Sequence, residues 1–543
     1  MSKQLLALRY VYKIPSQYLE DNDWNIQLDI NKARKGEMLV TLASSEMIRF
    51  IDDVSNSGFS EKKVKKLKTK IKECKGKKST AKQKESISTY YNQLNDLLLV
   101  KDYVVVVMEN DKQYDRAVEG FNINGEKFVR LLSTSGGVKN SAIIFTRETI
   151  KDKLMKHINC GRDESKEFVP GKLSAYMGLS CSASTPVTNP NKVLVVHDCE
   201  TEFTSTVIEV DDTQTEYPLV ERKENYPIKL NISDGFGLLS KHMGEKWAED
   251  LHLDYLPSGF TIRNAFCKGM MFIFDYKMFA EQVANNYIVK DVWGTERDIR
   301  ECDMVLTTSM LKLWDSYDSW EHYEECYMKN KYSFSVTKTT PKELDEERDL
   351  NYQFIQSLNL TDEMIDELIK PTVDEIKDIL GLDYRKSIAY TTGSNVKEET
   401  VQLSNYHNYV QALMVDKNMI HEPYVRQQIR TMIRKRANDA KKGKLKVKGN
   451  FQILSGDPYA LCQSIFGLEV TGLLKAGEIY SKHWIDKGVN RVVGLRSPMT
   501  TSQNIVLMNI ASNEEINKWY QYMDTVTILN AWDTTMASLN GAD

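Results

Sequence analysis

Two lysines are the first residues in this chain whose types and surroundings suggest chemistry. In "SGFTIRNAFCKGMMFIFDY" Arg263 and Lys268 flank a turn, Gly269 lets the backbone come close to a neighbour, and an apolar strand follows. In "CDMVLTTSMLKLW" Lys312 follows Ser309-Met310-Leu311. Two ammonium groups entering a barrel from separate strands would neutralise a triphosphate and the charge that builds up in phosphoryl transfer. Taken singly, each is an ordinary surface lysine. A further candidate is "KVLVVHDCETEF", where Asp198 and Glu200 close an apolar strand one residue apart. Hard divalent cations take oxygen ligands, so the pair admits an exonuclease metal site. The later aspartates of a two-metal nuclease have no evident positions, and a strand end carrying two acids is the commoner outcome.

Cations gather in two places. "EKKVKKLKTKIKECKGKK" holds ten lysines between Lys62 and Lys78, with Val64, Leu67 and Ile71 at helical spacing, and predicts a polar helical hairpin over about 58–98. It is either a solvated arm or a nucleic-acid contact. In "PYVRQQIRTMIRKRANDAKKGKLKVKGN" a helix begins near Pro423 and buries Val425, Ile429, Met432 and Ile433. Arg426, Arg430 and Arg434 then form an i, i+4, i+8 row, and Lys444, Lys446 and Lys448 alternate with Leu445 and Val447 as on a half-buried strand. Repeated cations suit a phosphate backbone, which asks for charge and not for a particular base.

The elements that must position these groups follow from the pattern. At 543 residues the chain is too long for one core, and 41% hydrophobic with 27% charged residues is a globular composition. No apolar run approaches the roughly 20 residues of a membrane span, and no cleavable leader is evident at the start, so a cytoplasmic protein is expected. Eight scattered cysteines without a Cys-x-x-Cys pair read as reduced thiols. There is no P-loop, His-Glu-x-x-His or Gly-x-Ser-x-Gly. Residues 1–165 mix strands with the lysine hairpin, 166–335 carry short strands and Gly turns, 336–444 are helical, and 445–543 return to strands. Two strand-and-turn regions around a helical connector predict two small β-barrels with inserted helices.

In order, "GKLSAYMGLSCSAST", "NISDGFGLLS", "SGFTIRNAFCKGMMFIFDY" and "TTSMLKLW" resemble the catalytic region of the RNA-dependent RNA polymerases of RNA interference and the single-chain RNA polymerases of phages. The resemblance covers about residues 168–320 and 445–543. It implies an α+β fold with two double-psi β-barrels, the second incomplete, a helical connector and an N-terminal accessory α/β region. Lys268 matches the family's Lys-Gly lysine and Lys312 the lysine of Ser-Met-x-Lys, both on the phosphates of the incoming nucleotide. The two stand 44 residues apart, more than the family pattern, with "NNYIVKDVWGTERDIREC" as the insertion. Arg496 of "RVVGLRSPMTTSQNIVLMNI" looks like the arginine that meets the ribose, and Arg263 is a second substrate-binding candidate. An Asp-x-Glu before "SDGFG" belongs to the pattern, so Asp198 and Glu200 require no nuclease.

"LNGAD" resembles the lead-in and first aspartate of the family's Asp-x-Asp-Gly-Asp, whose carboxylates hold Mg²⁺. Asp543 is then a catalytic metal ligand, with the other ligands expected from a further C-terminal segment or a second chain, and the 543-residue chain alone is expected to be inactive. The expected reaction is nucleotidyl transfer from NTP to an RNA 3′ end, DNA-directed and of phage type, in the host cytoplasm. An RNA-interference-type RNA-dependent enzyme and a catalytically inactive nucleic-acid-binding scaffold are the alternatives.

Overall fold

The computed structural model describes residues 8–75, 80–133, 142–213, 217–392, 407–499 and 501–539. Strands β1 (Leu8–Pro15), β2 (Asn25–Ile26), β3 (Leu39–Ala43), β4 (Leu99–Val107), β5 (Phe121–Ile123), β6 (Glu126–Ser133) and β7 (Ala142–Arg147) form an N-terminal sheet in the order β2-β5-β6-β7-β4-β1-β3. β4 lies inside it because its valine run is apolar on both faces; Val104, Val105 and Val106 are fully buried. One face packs under Met47, Ile48, Ile51, Leu154 and Ile158, the other under Leu19, Trp24 and Phe121. Between β3 and β4 the lysine-rich segment forms two helices, α1 (Glu61–Lys75) and α2 (Ala81–Leu98), as the apolar spacing predicts. Val64 and Ile71 pack with Leu94 and Leu98, and Thr80 with Gln83 closes a capping box at the start of α2.

His157 joins this region to the next. Its ring is stacked between Phe50 at 3.7 Å and Tyr332 at 4.0 Å, and Nδ1 lies 2.6 Å from the Asn330 carbonyl, so Nδ1–H donates there. Nε2 has no hydrogen-bond partner and faces Glu46 at 3.9 Å. Burial pushes the imidazole down to about 4, with the Lys331 charge adding to the fall. The folded ring is thus neutral where the unfolded one, titrating near 6.5, takes up a proton. Its contribution is full above pH 6.5 and is lost as pH falls toward 4, about 3 kcal/mol in all. Burial raises the Glu46 carboxyl, whose contribution has the opposite sign and fades as pH rises. Thermal melts across pH 4–7 are expected to show Tm falling with pH, and falling less in His157→Phe; equal slopes would remove His157 from the account.

The second sheet holds β8 (Thr185–Pro186), β9 (Val193–Val196), β12 (Phe236–Leu239), β13 (Gly259–Asn264), β14 (Cys267–Ile273), β17 (Met304–Thr307) and β18 (Ser335–Thr339), in the order β8-β18-β13-β14-β12-β17-β9. β10 (Glu200–Asp211) with β11 (Leu219–Asn231), and β15 (Ile288–Lys290) with β16 (Glu296–Asp298), are separate ribbons. β19 (Glu347–Asp349) pairs with β20 (Lys446–Lys448), and the third sheet runs β21 (Ile453–Ser455), β25 (Val526–Leu529), β22 (Glu478–Tyr480), β24 (Ile505–Ile510), β23 (Arg491–Leu495).

The second and third sheets are topological copies. Along β13-β14-β12-β17-β9 and along β23-β24-β22-β25-β21 the neighbours are antiparallel, parallel, antiparallel and parallel. Matched strands also succeed each other in the same chain order. The α+β class and two-barrel plan expected from the sequence are met by these two half-barrel sheets. They share one core, in which Leu194, Phe236, Leu238 and Phe272 meet Tyr459, Leu461, Val526 and Ile528. Between β19 and β20 the helices Asp362–Leu380, Tyr384–Thr392, Asn408–Val415 and Pro423–Ala440 enclose a small core of Ile379, Leu413, Val425, Ile429 and Ile433. The eight cysteines are free, and no helix among the described residues is long and apolar enough to cross a membrane.

Candidate active site

Three connections of the second sheet meet at one carboxylate. β9 runs out through His197 into Asp198, which accepts Thr308 Oγ1–H at 2.6 Å, Ser309 N–H at 2.9 Å, the Ser309 hydroxyl, and Ser233 Oγ–H at 3.4 Å. Ser309 Oγ accepts Gly235 N–H at 2.8 Å, and the Gly235 carbonyl accepts Met270 N–H at 2.8 Å. A Cβ on Gly269 would stand 2.4 Å from that same carbonyl oxygen, so glycine is what lets the two turns touch. Asp198 therefore anchors the loop that carries Lys312. Its two oxygens are engaged by protein donors, and among the described residues no group of three His, Cys, Asp or Glu is placed to hold a metal. Glu200 is exposed at the foot of the β10–β11 ribbon, opposite Asn231.

The same loop pairs with the β13–β14 hairpin. Cys267 faces Leu311 in an antiparallel bridge, Lys268 N–H donates to the Met310 carbonyl at 3.0 Å, and Lys312 N–H to the Phe266 carbonyl at 2.8 Å. The insertion that separates Lys268 from Lys312 in sequence is folded away, and the two stand on adjacent backbone segments. Lys312 lines a cleft of about 380 Å³ together with Lys172, Tyr176, Asp198 and Ser309, and its Nζ lies 6.0 Å from the Tyr176 ring centre. Lys268 is exposed. Beneath them burial pushes the Cys267 thiol up to about 12, against the pull of the Arg263 and Lys312 charges. Arg263 sits opposite Lys268 in the β13–β14 ladder, with Nη1–H on the Ile262 carbonyl at 2.7 Å and Nε–H on Ser182 Oγ at 3.4 Å. Burial lowers its pKa, and two of its donors serve the scaffold.

The third sheet repeats the joint with different side chains. Gly477, just before β22, donates its N–H to Asp533 Oδ2 at 2.5 Å, in the loop after β25, where Gly235 before β12 donates to Ser309 after β17. Asp533 also accepts Asn530 Nδ2–H at 3.1 Å and Thr535 N–H at 2.8 Å. Arg496 follows β23, the counterpart of the strand carrying Arg263, and its Nη1 is 3.4 Å from the Leu539 carbonyl. Arg496 thus lies beside the segment leading to Asp543, which is outside the described residues.

The basic surface is less uniform than the lysine alternation suggests. Val425, Ile429 and Ile433 are buried as expected, Met432 is half-buried, Arg430 and Arg434 are exposed and Arg426 is half-buried. Lys446 is held by Glu347 at 2.7 Å and Glu375 at 3.1 Å, and Lys444 by Asp439 at 3.4 Å. β19 brings its acids alongside β20, so Lys446 is the lysine they cover, while Lys444 and Lys448 are exposed. Arg436, outside the arginine row, is buried with Asp349 at 2.9 Å and Glu375 at 3.1 Å. Sequence reasoning passed over the hydroxyls of Thr308 and Ser309 and the carboxylate of Asp533. The signal was there in the run of hydroxyls just after the apolar strand β17.

Two findings from known sequences bear on this arrangement. The family described as RNA dependent RNA polymerase matches residues 100–509. The DNA-directed RNA polymerase YonO of Bacillus phage SPbeta is 30% identical over 415 residues, which is 74% of this chain and 46% of that protein. The chain thus spans about half the length of the curated relative it matches. Among solved structures, RNA dependent RNA polymerase QDE-1 from Thielavia terrestris matches with 14% identity and a TM-score of 0.49, covering 81% of this chain and 48% of that one.

Proposed function

The chain belongs to the RNA-dependent RNA polymerase family, and from that premise we propose that it carries the nucleotide-binding part of a templated RNA polymerase. The reaction is transfer of a nucleotide from NTP to an RNA 3′ end with release of pyrophosphate. DNA is the proposed template, after the phage relative, and the host cytoplasm the proposed compartment. The observation that carries the reading is the pairing of the Lys268 and Lys312 backbones by way of Met310 and Phe266, with Lys312 lining a cleft of about 380 Å³.

In this reading Lys268 and Lys312 hold the triphosphate and offset the charge that grows on the leaving pyrophosphate, Arg496 donates to the ribose, and Asp198 fixes the lysine loop in advance. Positioning and electrostatic stabilisation supply the acceleration. A divalent cation, Mg²⁺ in our proposal, would add charge neutralisation at the reacting phosphate when bound. The described residues offer no three-ligand set for it, so Asp543 stands as its proposed ligand, joined by carboxylates of a further segment or second chain, and no step is routed through the ion. The arginine row Arg426, Arg430, Arg434, with Lys448 and the ion-paired Lys444 and Lys446, is the proposed path for template or hybrid.

The test is affinity labelling. An NTP bearing an aldehyde on its γ-phosphate, trapped with borohydride, is expected to modify Lys268 and Lys312 and to be competed by free NTP. Lys268→Ala and Lys312→Ala are each expected to lower templated incorporation roughly 10²–10³-fold in an assay with the metal site complete. Specific labelling elsewhere, with these two untouched, would sink the assignment and favour a non-catalytic scaffold. The family is one of RNA-dependent enzymes, which favours RNA as template, so incorporation is measured on DNA and RNA templates side by side.

A further inference from the structure

Outside the site, the largest unexplained feature is electrical. The segment 61–98 carries twelve lysines against four acids, net +8, in a chain whose total is −4. Elsewhere helical lysines find acids one turn away, as in Lys370–Asp374 at 2.6 Å and Lys482–Asp486 at 2.7 Å. In α1 the same spacing sets Lys62, Lys66 and Lys70 in one row and Lys68 and Lys72 in another. Like charges one turn apart work against the helix. Among the described residues none of the α1 lysines is in an ion pair, and only Lys70 and Lys75 lean on rings, each 5.2 Å from Tyr90 or Tyr91 of α2.

A charge row of this kind would be cheap in a floppy arm, but here it is held in place. Val64 and Ile71 are buried against Leu94 and Leu98, Tyr10 of the N-terminal sheet packs on the same cluster, and α2 runs without a break into β4. Lys62, Lys65, Lys66, Lys68 and Lys72 are all exposed on a helix of 15 residues, about 22 Å long. Duplex DNA presents about one negative charge per 1.7 Å of its axis. A rigid row of ammonium groups without acids, and without the planar donors that read base edges, matches a phosphate backbone and carries no sequence preference.

We propose that the α1–α2 hairpin is a clamp for duplex DNA that grips the phosphate backbone outside the nucleotide site, independently of sequence. The proposal rests on the polymerase reading for its choice of occupant. The test uses the whole 543-residue chain and a fluorescent duplex DNA, with affinity followed over a salt series. The variant is Lys62→Gln, Lys65→Gln, Lys66→Gln, Lys68→Gln and Lys72→Gln combined; glutamine keeps the helix propensity, checked by circular dichroism. The expected result is at least about a tenfold loss of affinity at low salt and a log–log salt slope shallower by about 2–4. γ-Phosphate labelling of Lys268 is expected to stay unchanged. Duplex binding with an unchanged slope overturns the clamp and leaves the polymerase reading standing. Binding to phosphatidylserine vesicles but not to duplex also overturns it. Loss of labelling at Lys268 in the wild-type chain counts against the polymerase reading and not against the hairpin.

Discussion

Asp198→Ala is expected to destabilise the chain by about 2–4 kcal/mol and to release Lys312 from the site. The carboxylate gathers Thr308 Oγ1–H, Ser309 N–H and the hydroxyls of Ser309 and Ser233. Removing it strands several donors in a part-buried junction, where water does not easily replace the lost acceptor. The loop after β17 then keeps Thr308 N–H on the Val196 carbonyl, Gly235 N–H on Ser309 Oγ and its pairing with Phe266, Cys267 and Lys268. Urea unfolding reads the first effect, and γ-phosphate labelling of Lys312, with Lys268 as internal reference, reads the second. Asp198→Asn retains one carbonyl acceptor and is expected to fall between the two. If the alanine variant were as stable as wild type and labelled equally at Lys312, Asp198 would not be the anchor. A nuclease activity lost in Asp198→Ala would restore the metal reading of this acid.

The second large effect is expected at Gly456, where the two half-barrels touch. A Cβ there would stand 1.7 Å from the Ile232 carbonyl oxygen. The obstacle is backbone, not a side-chain tip that can swing aside, so one of the two turns has to move. The neighbouring Asp457 is buried and accepts Tyr459 N–H at 2.9 Å, Leu473 N–H at 2.9 Å and Tyr520 Oη–H at 2.7 Å, so little slack is available. Gly456→Ala is expected to cost more than about 3 kcal/mol and to unfold both half-barrels together, since they share one core. Gly171→Ala, inside a helix and with nothing within 4 Å of the added carbon, serves as the control and is expected to be neutral or slightly stabilising. A denaturation curve showing equal stability for the two variants would dispose of the seam.

The α+β class and individual strands and helices were legible because each depends on local signals. "LVKDYVVVV" is a strand buried on both faces wherever it sits, and Val64, Leu67 and Ile71 define a helix face unaided. Lys268 and Lys312 were singled out from the residues around them and expected on one triphosphate, but the backbone pairing between their segments was not legible, because the pairing of Cys267 with Leu311 is a long-range event with an insertion between the partners. The duplication of the half-barrels left no trace in the residues. Its two copies use Ser309 in one and Asp533 in the other for the same backbone contact, so topology is kept where side chains are not. Asp198 kept a metal site among its sequence readings because a carboxylate at a strand end looks the same whether it awaits a cation or four hydrogen-bond donors. The ion pairs of Lys446 were not legible because the acids that hold it, Glu347 and Glu375, are far away in sequence.

The β19–β20 ribbon gives the helical connector a particular character. The chain enters it at Glu347–Asp349 and leaves at Lys446–Lys448, two strands in direct register, about 4.8 Å apart. The insertion between them thus enters and leaves side by side, its helices close on a core of their own, and Asn351 and Gln353 at its start reach Ser497 and Met499 after β23. Such a cassette can be lengthened, shortened or exchanged for another without re-routing the polypeptide through either half-barrel. Three residue pairs mark where the insertion begins and ends.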